Sequence, residues 1–238
     1  VSDLLELGYD ITIFDNLSSD FKTNFSKDVK FIHGDILNID ELNDALSLGY
    51  DFVVHLAALK AAGDSMDNPQ LYATNNIVGS LNILNAMLNN DCKNIIFSSS
   101  AAVYGYPKYL PIDESHPKYP INFYGYTKLS IERTLDWYSK LKGIRYASLR
   151  YFNAAGYDIK GRIKNLEKNP ANLLPIIMEV ASGKRKQLKI FGADYSTPDG
   201  TCIRDYIHVN DLASAHIQSM KYITETKKNL VVNLATGI

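Results

Sequence analysis

The chain has 238 residues, of which 46% are hydrophobic, and a formal net charge of −1 at pH 7. That length can bury a sizeable core in one large or two small domains, and the near-neutral charge gives no electrostatic reason to expect nucleic acid or an anionic membrane as a partner. Cys92 and Cys202 lie far apart without metal-ligand spacing, which argues against a disulfide framework or a zinc site. No apolar run approaches the roughly 18 residues of a membrane span. We therefore expect a cytoplasmic protein.

Short apolar strands alternate with amphipathic helices through the first two thirds of the chain. Strands are predicted at residues 10–14, 29–33, 52–56, 94–97 and 146–149, with a last one at 230–234. Apolar residues recur with helical spacing at 42–46, 77–88 and 131–138. This alternation predicts an α/β protein with a Rossmann-like, doubly wound parallel sheet covered by helices on both faces.

The pattern becomes looser after Asn153, where glycines and prolines separate shorter elements. We therefore expect two domains, over residues 1–153 and 154–238, with the second smaller and partly returning to the first. A parallel sheet that binds a dinucleotide needs a strand and a glycine-rich turn before its first helix. This chain instead opens with the tail of a helix that Gly8 ends. We therefore expect this sequence to be an internal part of a longer protein. It would lack the first strand, and its second domain would be incomplete.

The most informative residues lie at the end of a predicted strand and at the start of a predicted helix. Ser100 ends the serine-rich strand, and Tyr124 and Lys128 follow with the i, i+4 spacing that places both on one helix face. The pattern Tyr-x-x-x-Lys also begins at Tyr104 and Tyr138. A proline disfavours a helix across the first of these, and the second falls toward a helix end without a hydroxyl-rich strand before it.

The phenol of a free tyrosine has a pKa of about 10, so it is a poor base at neutral pH. An ammonium one turn away and a positive nicotinamide ring would lower that pKa. Tyr124 would then take a proton from a sugar hydroxyl while the adjacent carbon gives a hydride to the cofactor. Ser100 would hold the same oxygen, and Lys128 would bind the nicotinamide ribose. A serine-rich loop beside a surface Tyr/Lys pair is the purely structural alternative.

Acidic and small residues follow other predicted strands, at the edge where ligands of parallel sheets gather. Asp15 would accept hydrogen bonds from the adenosine ribose and repel a 2′-phosphate, which favours NAD over NADP; a turn aspartate is the alternative. Asp35 follows the next strand. Lys60 follows the strand over which the cofactor would lie, and the small Ala57 and Ala58 would let the backbone approach it.

These motifs together closely resemble the UDP-glucose 4-epimerases, a family in the extended short-chain dehydrogenase/reductase group. The resemblance extends over essentially the whole chain and rests on these segments: FDNLSS (14–19), GDI (34–36), VVHLAALKAAGDS (53–65), NN (75–76), FSSSAAVYG (97–105), YGYTK (124–128), LRYFNAAG (149–156), NLLP (172–175), IFGADYSTPDGTCIRDYIHVNDLA (190–213) and NLATG (233–237).

The resemblance implies the interconversion of UDP-galactose and UDP-glucose through a transient 4-keto sugar, with NAD bound throughout. The implied catalytic residues are Ser100, Tyr124 and Lys128, which would also contact NAD. The other implied NAD contacts, within a domain at 1–153, are Asp15, Asn16, Asp35, Ile36, Leu56, Ala57, Ala58, Lys60, Asn75 and Phe152. The implied UDP-sugar contacts, besides Ser100 and Tyr124, are Asn153, Asn172, Leu173, Lys189, Ile190, Phe191 and Arg204.

Two of these substrate contacts also make physical sense. The guanidinium of Arg204 can donate two hydrogen bonds to a diphosphate, and the ring of Phe191 can pack on uracil. An Arg204–Asp205 surface pair and a core phenylalanine are the structural alternatives. The resemblance further implies a homodimer formed through helices near 77–89 and 124–141.

Four alternatives remain, the first of which is another nucleotide-sugar epimerase of the same family. A nucleotide-sugar 4,6-dehydratase or decarboxylase on the same fold usually carries an acid in the strand-end motif, where this chain has Ala101 and Ala102. A non-catalytic NAD-binding protein is expected to lose the serine, tyrosine or lysine, yet all three are present. A simple dehydrogenase that releases NADH differs in whether the cofactor stays bound.

Overall fold

A computed structural model describes residues 1–18, 29–163, 170, 172–190 and 192–237. Its strands are β1 (Thr12–Asp15), β2 (Lys30–His33), β3 (Val53–His55), β4 (Asn94–Ser100), β5 (Arg145–Tyr151), β6 (Asn153–Ala155), β7 (Tyr206–His208) and β8 (Leu230–Leu234). Its helices are α1 (Ser2–Glu6), α2 (Ile39–Leu46), α3 (Asp64–Asp67), α4 (Pro69–Tyr72), α5 (Gly79–Asn89), α6 (Phe123–Lys142), α7 (Leu173–Ala181) and α8 (Val209–Thr226). A π-helical segment (Ala73–Val78) precedes α5, and a 3₁₀ turn (Ala101–Val103) follows β4.

All strand pairs in the described part of the chain are parallel. The largest sheet has four strands in the order β3-β4-β5-β8, while β1 pairs with β2 and β6 pairs with β7. The predicted α/β fold with parallel sheets is therefore confirmed. The strand expected before α1 stays a prediction.

Helices cover both faces of the four-stranded sheet. Along β4, Ile95 and Phe97 pack into one buried cluster with residues of α2, α5 and α6. The intervening Ile96 packs on the other face with Met220 and Ile223 of α8. Because alternate residues of a strand point to opposite faces, this division shows the doubly wound arrangement that the apolar strands predicted.

Helix α6 carries the Tyr-x-x-x-Lys pattern and has well-defined ends. Asn122 caps its first turn, since its side-chain oxygen accepts a hydrogen bond of 2.8 Å from the backbone N–H of Gly125. Gly143 ends the helix in the left-handed conformation, with φ of 72°. Ile131 and Leu135 pack into the buried cluster on the sheet, whereas Leu129 packs against Val103 and Tyr104 after β4. The helix is thereby fixed against the strands whose ends carry the candidate site.

The structure corrects several predicted boundaries: the strand predicted at 10–14 is Thr12–Asp15, and the one predicted at 146–149 is Arg145–Tyr151. The strand predicted at 52–56 ends at His55, so Leu56 lies in the following loop. The strand predicted at 94–97 continues to Ser100, because its hydrogen-bonded register with β5 extends that far. The division between residues 1–153 and 154–238 stays a prediction, although β8 of the later part pairs with β5.

No helix among the described residues is both long and apolar enough to cross a membrane.

A buried ion pair ties α6 to β5. The guanidinium of Arg150 donates to both carboxylate oxygens of Glu132, at 2.9 and 2.7 Å, and both side chains are less than a tenth exposed. Ser99 Oγ also donates to Glu132, at 2.5 Å, and Arg150 donates to the hydroxyl of Tyr104 at 2.7 Å. Because both charges have hydrogen-bonded partners, their burial is tolerated, and the loss of one would leave the other unpaired.

We expect Glu132→Gln to lower the free energy of unfolding by about 3–5 kcal/mol, because the charge of Arg150 would stay buried without its partner. Asp136→Asn is the matched control, since it removes a carboxylate of the same helix that pairs with Lys140 at the surface. That control should cost less than about 1 kcal/mol. Urea unfolding of both variants measures the difference, and similar losses in the two would contradict the assignment.

Candidate active site

The carboxyl ends of β4 and β5 lie side by side and begin the site. Ser100, the last residue of β4, pairs in register with Tyr151 of β5. The chain then turns sharply, and Ser100 Oγ accepts a hydrogen bond of 3.2 Å from the backbone N–H of Ala102. The hydroxyl is therefore held at the sheet edge where ligands of parallel sheets bind, and its proton stays available to an acceptor.

Tyr124 is the second residue of α6 and faces Ser100. Burial raises the pKa of its phenol, and the Ser100 hydroxyl lowers it in part. In the ligand-free chain desolvation of the phenolate outweighs this contact, so the lowering of the pKa expected from Lys128 together with a nicotinamide ring stays a prediction for the NAD-bound protein. The phenol nevertheless lies beside the predicted serine, as the proton-transfer hypothesis requires.

Lys128 is buried at the same place, with 3% of its surface exposed. Its Nζ donates to the carbonyl of Ser98 at 2.7 Å and lies 4.9 Å above the ring of Phe97 and 5.8 Å from the centroid of the Tyr124 ring. No carboxylate in the described part of the chain forms a salt bridge with it. Burial consequently lowers its pKa to about 7.

Buried polar residues that the sequence analysis did not single out surround Tyr124. Ser65 accepts a hydrogen bond of 3.0 Å from the Tyr124 backbone N–H, and Thr127 donates one of 2.7 Å to the Tyr124 carbonyl. Asn76 donates to Thr127 at 3.2 Å. His55, beneath Lys128, binds Ser80, and its pKa is lowered to about 3 by burial and by the charge of Lys128. All of them except Ser80 lie inside the motifs quoted above, which was the available signal.

The residues predicted to hold the adenosine half of a dinucleotide lie together at the ends of β1 and β2. Asn16 donates a hydrogen bond of 2.9 Å to Asp35, which joins the two strand ends. Asp15 accepts from the backbone N–H of Leu17 at 2.7 Å with one carboxylate oxygen, as a turn aspartate does. Asp15 therefore forms a turn and also presents an exposed carboxylate at the end of the strand. Ile36 is buried in the core next to these residues.

The loop after β3 offers small and apolar groups at the neighbouring strand end. Leu56 is 60% exposed, Ala57 and Lys60 are also exposed, and Ala58 is half-buried. Asn75 is half-buried and donates to the side chain of Asn76 at 3.0 Å. An exposed leucine beside two alanines provides a flat apolar surface on which an aromatic ring can lie, with backbone accessible beside it.

Phe152 and Asn153 continue β5 toward the second part of the chain. The side-chain amide of Asn153 donates to the carbonyl of Asp205 at 2.7 Å, which places it next to Arg204. The structural alternative, an Arg204–Asp205 surface pair, is not found among the described residues, because the carboxylate of Asp205 accepts from Thr236 and from the backbone of Gly237. The exposed guanidinium of Arg204 donates to the carbonyl of Ile203 at 2.8 Å.

The other predicted substrate residues lie in the less regular part of the chain. Asn172 and Leu173 are exposed at the start of α7, and Lys189 lines a cleft of about 420 Å³ beside that helix. Ile190 follows and is 72% exposed. No hydrogen bond within the described ranges joins these four residues to Ser100, Tyr124 or Lys128. Phe191 lies outside the described residues.

The chain matches known proteins over nearly its whole length. The model of the NAD dependent epimerase/dehydratase family matches residues 1–235. A UDP-glucose 4-epimerase of Halalkalibacterium halodurans is 44% identical over 236 residues, which cover 98% of this chain and 70% of that protein. The chain therefore belongs to the NAD dependent epimerase/dehydratase family.

Solved structures agree with this assignment. The UDP-glucose 4-epimerase of Brucella ovis in complex with NAD has a TM-score of 0.95 and 42% identity, covering 100% of this chain and 73% of that chain. The UDP-glucose 4-epimerase of Bifidobacterium longum in complex with NAD⁺ and UDP has a TM-score of 0.91 and 38% identity, covering 99% and 73%. The Rossmann-like fold class is thereby confirmed.

The lowered pKa of Lys128 predicts a pH dependence of stability. Lysine in an unfolded chain has a pKa of about 10.4, whereas the pKa of Lys128 in the folded chain is about 7. Between these values the unfolded chain binds more protons, so the free energy of unfolding rises with pH, by at most about 1.4 kcal/mol per pH unit. Relative to Lys128→Met, the ligand-free wild type should therefore gain stability from pH 7 to 10 and show no such trend below pH 6.

Urea unfolding across this pH range measures that difference. Lys140→Met, which changes an exposed lysine of the same helix, is the control and should follow the wild-type profile. A difference between wild type and Lys128→Met that is flat, or that falls as the pH rises, would contradict the burial of an unpaired ammonium at this position.

Proposed function

We propose that the chain carries the catalytic part of a UDP-glucose 4-epimerase, which interconverts UDP-galactose and UDP-glucose. The observation that carries the proposal is the buried ammonium of Lys128, without a salt-bridged carboxylate in the described chain, one helical turn after a phenol that faces Ser100. The named relatives are UDP-glucose 4-epimerases over nearly the whole length of the chain, which supports this choice of reaction.

The chemistry of the donor set fits NAD. Lys128 has an ammonium proton available for a ribose hydroxyl, Asp15 presents a carboxylate at a strand end, and Leu56 presents an apolar face. We propose that these residues hold NAD together with Asn16, Asp35, Ile36, Ala57, Ala58, Lys60, Asn75, Ser100, Tyr124 and Phe152. Bound NAD supplies the acceptor and later the donor of a hydride at C4 of the sugar.

The protein's own groups would move the proton of the same reaction. Tyr124 Oη takes the proton of the C4 hydroxyl and returns it after the sugar has turned its other face. Ser100 Oγ hydrogen-bonds the same sugar oxygen and keeps it within reach of the phenol. The positive charges of Lys128 and of a bound nicotinamide ring would favour the phenolate, against the burial that raises the pKa of Tyr124 in the ligand-free chain.

The UDP part of the substrate would be held by the later segments of the chain. We propose that Asn153, Asn172, Leu173, Lys189, Ile190, Phe191 and Arg204 form this site. The exposed guanidinium of Arg204 lies beside the carbonyl that Asn153 binds, which supports its role on the diphosphate. These residues define a substrate-binding region over 154–238 beside an NAD-binding domain over 1–153.

We also propose that the protein is a cytoplasmic homodimer. Tyr126, Trp137 and Leu141 are 48%, 59% and 69% exposed along α6, and Val78 is 45% exposed just before α5. A second copy packed on these helices would remove this apolar surface from water. Cys92 and Cys202 are both free, as is usual in a reducing compartment.

Sugar products followed by NMR test the reaction. The full-length protein, purified without added cofactor, is given UDP-galactose, and the expected result is conversion to UDP-glucose without external NAD. A 4-keto-6-deoxy product would move the assignment to a 4,6-dehydratase, despite the absence of an acid at Ala101 and Ala102. No turnover of UDP-galactose or UDP-N-acetylgalactosamine would refute the epimerase.

Replacement of the proposed base tests its role. Tyr124→Phe should lower kcat by roughly 100- to 10,000-fold with little change in KM, because the phenol acts on the transferred proton. Tyr138→Phe is the matched control, since it changes the same residue type in another Tyr-x-x-x-Lys pattern on α6, where the hydroxyl binds Asn85. Steady-state kinetics on UDP-galactose measure both variants. Equal rates in the two variants would contradict the assignment of the base.

A further inference from the structure

The backbone of Tyr124 is held on both sides by hydroxyl groups. Its N–H is one of the four at the start of a helix that lack a partner within the helix, and Ser65 Oγ accepts from it at 3.0 Å. Its carbonyl accepts a hydrogen bond of 2.7 Å from Thr127 Oγ1. Both hydroxyl residues are completely buried. The first turn of α6 is thus fixed at the residue that carries the proposed base.

The same two hydroxyls are tied to the loop that follows β3. Ser65 Oγ donates to the carbonyl of Ala62 at 2.6 Å. The buried side chain of Asn76 donates to Thr127 Oγ1 at 3.2 Å and pairs with both backbone groups of Leu59, accepting from its N–H at 2.8 Å and donating to its carbonyl at 3.0 Å. The connection therefore runs from Tyr124 to the loop at 56–63 through two independent paths.

We propose that Ser65, Asn76 and Thr127, together called the Tyr124 clamp, are positioning residues that fix the base relative to the loop bearing Leu56, Ala57 and Ala58. The proposal rests on the proposed function, since that loop is where the nicotinamide cofactor would lie. Proton and hydride leave neighbouring atoms of one sugar, so the phenol and the cofactor must be held at a fixed separation. A displacement of about 1 Å can cost about 100-fold in rate.

The alternative is that the clamp only stabilises the fold. Hydroxyls that donate to a carbonyl three or four residues earlier are common in helices, and α6 contains a half-buried one, Thr134, which donates to Ser130 at 2.9 Å. Thr127 also accepts from Asn76, whose side chain binds the backbone of Leu59, and no such bond to Thr134 is found in the described part of the chain. Thr134→Val is therefore the matched control for Thr127→Val.

The experiment uses the full-length protein and four variants: Ser65→Ala, Thr127→Val, Thr127→Ser and Thr134→Val. We expect the first two to lower kcat on UDP-galactose by about 10- to 100-fold, with KM and the amount of NAD retained through purification almost unchanged. Thr127→Ser keeps the hydroxyl and should retain most of the wild-type kcat, as should Thr134→Val.

A second readout does not depend on turnover. Burial raises the pKa of the Tyr124 phenol, so a phenol freed from its position should titrate closer to the ordinary value near 10. NMR titration of protein with ¹³C-labelled tyrosine, assigned through Tyr124→Phe, should show this shift in Ser65→Ala and Thr127→Val and not in Thr134→Val. If the wild type shows no epimerisation while these shifts occur, the proposed function fails and the clamp stands.

Two results would overturn the clamp. One is an unchanged titration of Tyr124 in Ser65→Ala and Thr127→Val, whatever the wild-type activity. The other is a fall in kcat that Thr127→Ser shares, or that accompanies an equal loss of bound NAD, because either pattern indicates lost packing and not lost positioning.

Discussion

The site depends on the burial of one ammonium group without a carboxylate to neutralise it. The removal of a charge from water is costly unless other groups take over the lost hydrogen bonds, and Lys128 has the carbonyl of Ser98 and the faces of two aromatic rings. These groups are neutral, so they stabilise the ammonium without neutralising its charge. The ammonium therefore remains able to act on a ligand and on the phenolate of Tyr124, which a salt bridge would prevent.

The neighbouring buried ion pair explains why this charge stays uncancelled. Glu132 lies one turn beyond Lys128 on α6, within the spacing at which helix side chains interact. Its carboxylate is instead occupied by the guanidinium of Arg150 and the hydroxyl of Ser99. The same helix thus carries a charge that is paired and holds it to β5, and one turn earlier a charge that has hydrogen-bond partners but no salt-bridged carboxylate in the described part of the chain.

Much of the fold could be read from the sequence, because apolar strands and helices with regular spacing report burial directly. The nearness of the three proposed catalytic residues was also predictable, since Ser100 ends a strand and the pair Tyr124 and Lys128 has the spacing of one helix face. The sequence could not reveal which polar groups meet across distant segments. Ser65 and Asn76 contact the first turns of α6 only because the loop after β3 folds back on it, and the pKa of Tyr124 follows from burial that spacing does not show.

A close backbone approach sets the separation of Tyr124 from Ser100. A Cβ atom at Gly125 would collide with the carbonyl of Ala102, so the first turn of α6 lies directly against the 3₁₀ turn that follows β4. Since Ser100 caps that turn and Tyr124 precedes Gly125, the absent side chain brings the hydroxyl and the phenol together. The glycine of the YGYTK motif therefore serves the chemistry through the backbone alone. The Tyr124 clamp binds the backbone of the same turn through Ser65 and Thr127, so two separate segments of the chain contact the turn that carries the phenol.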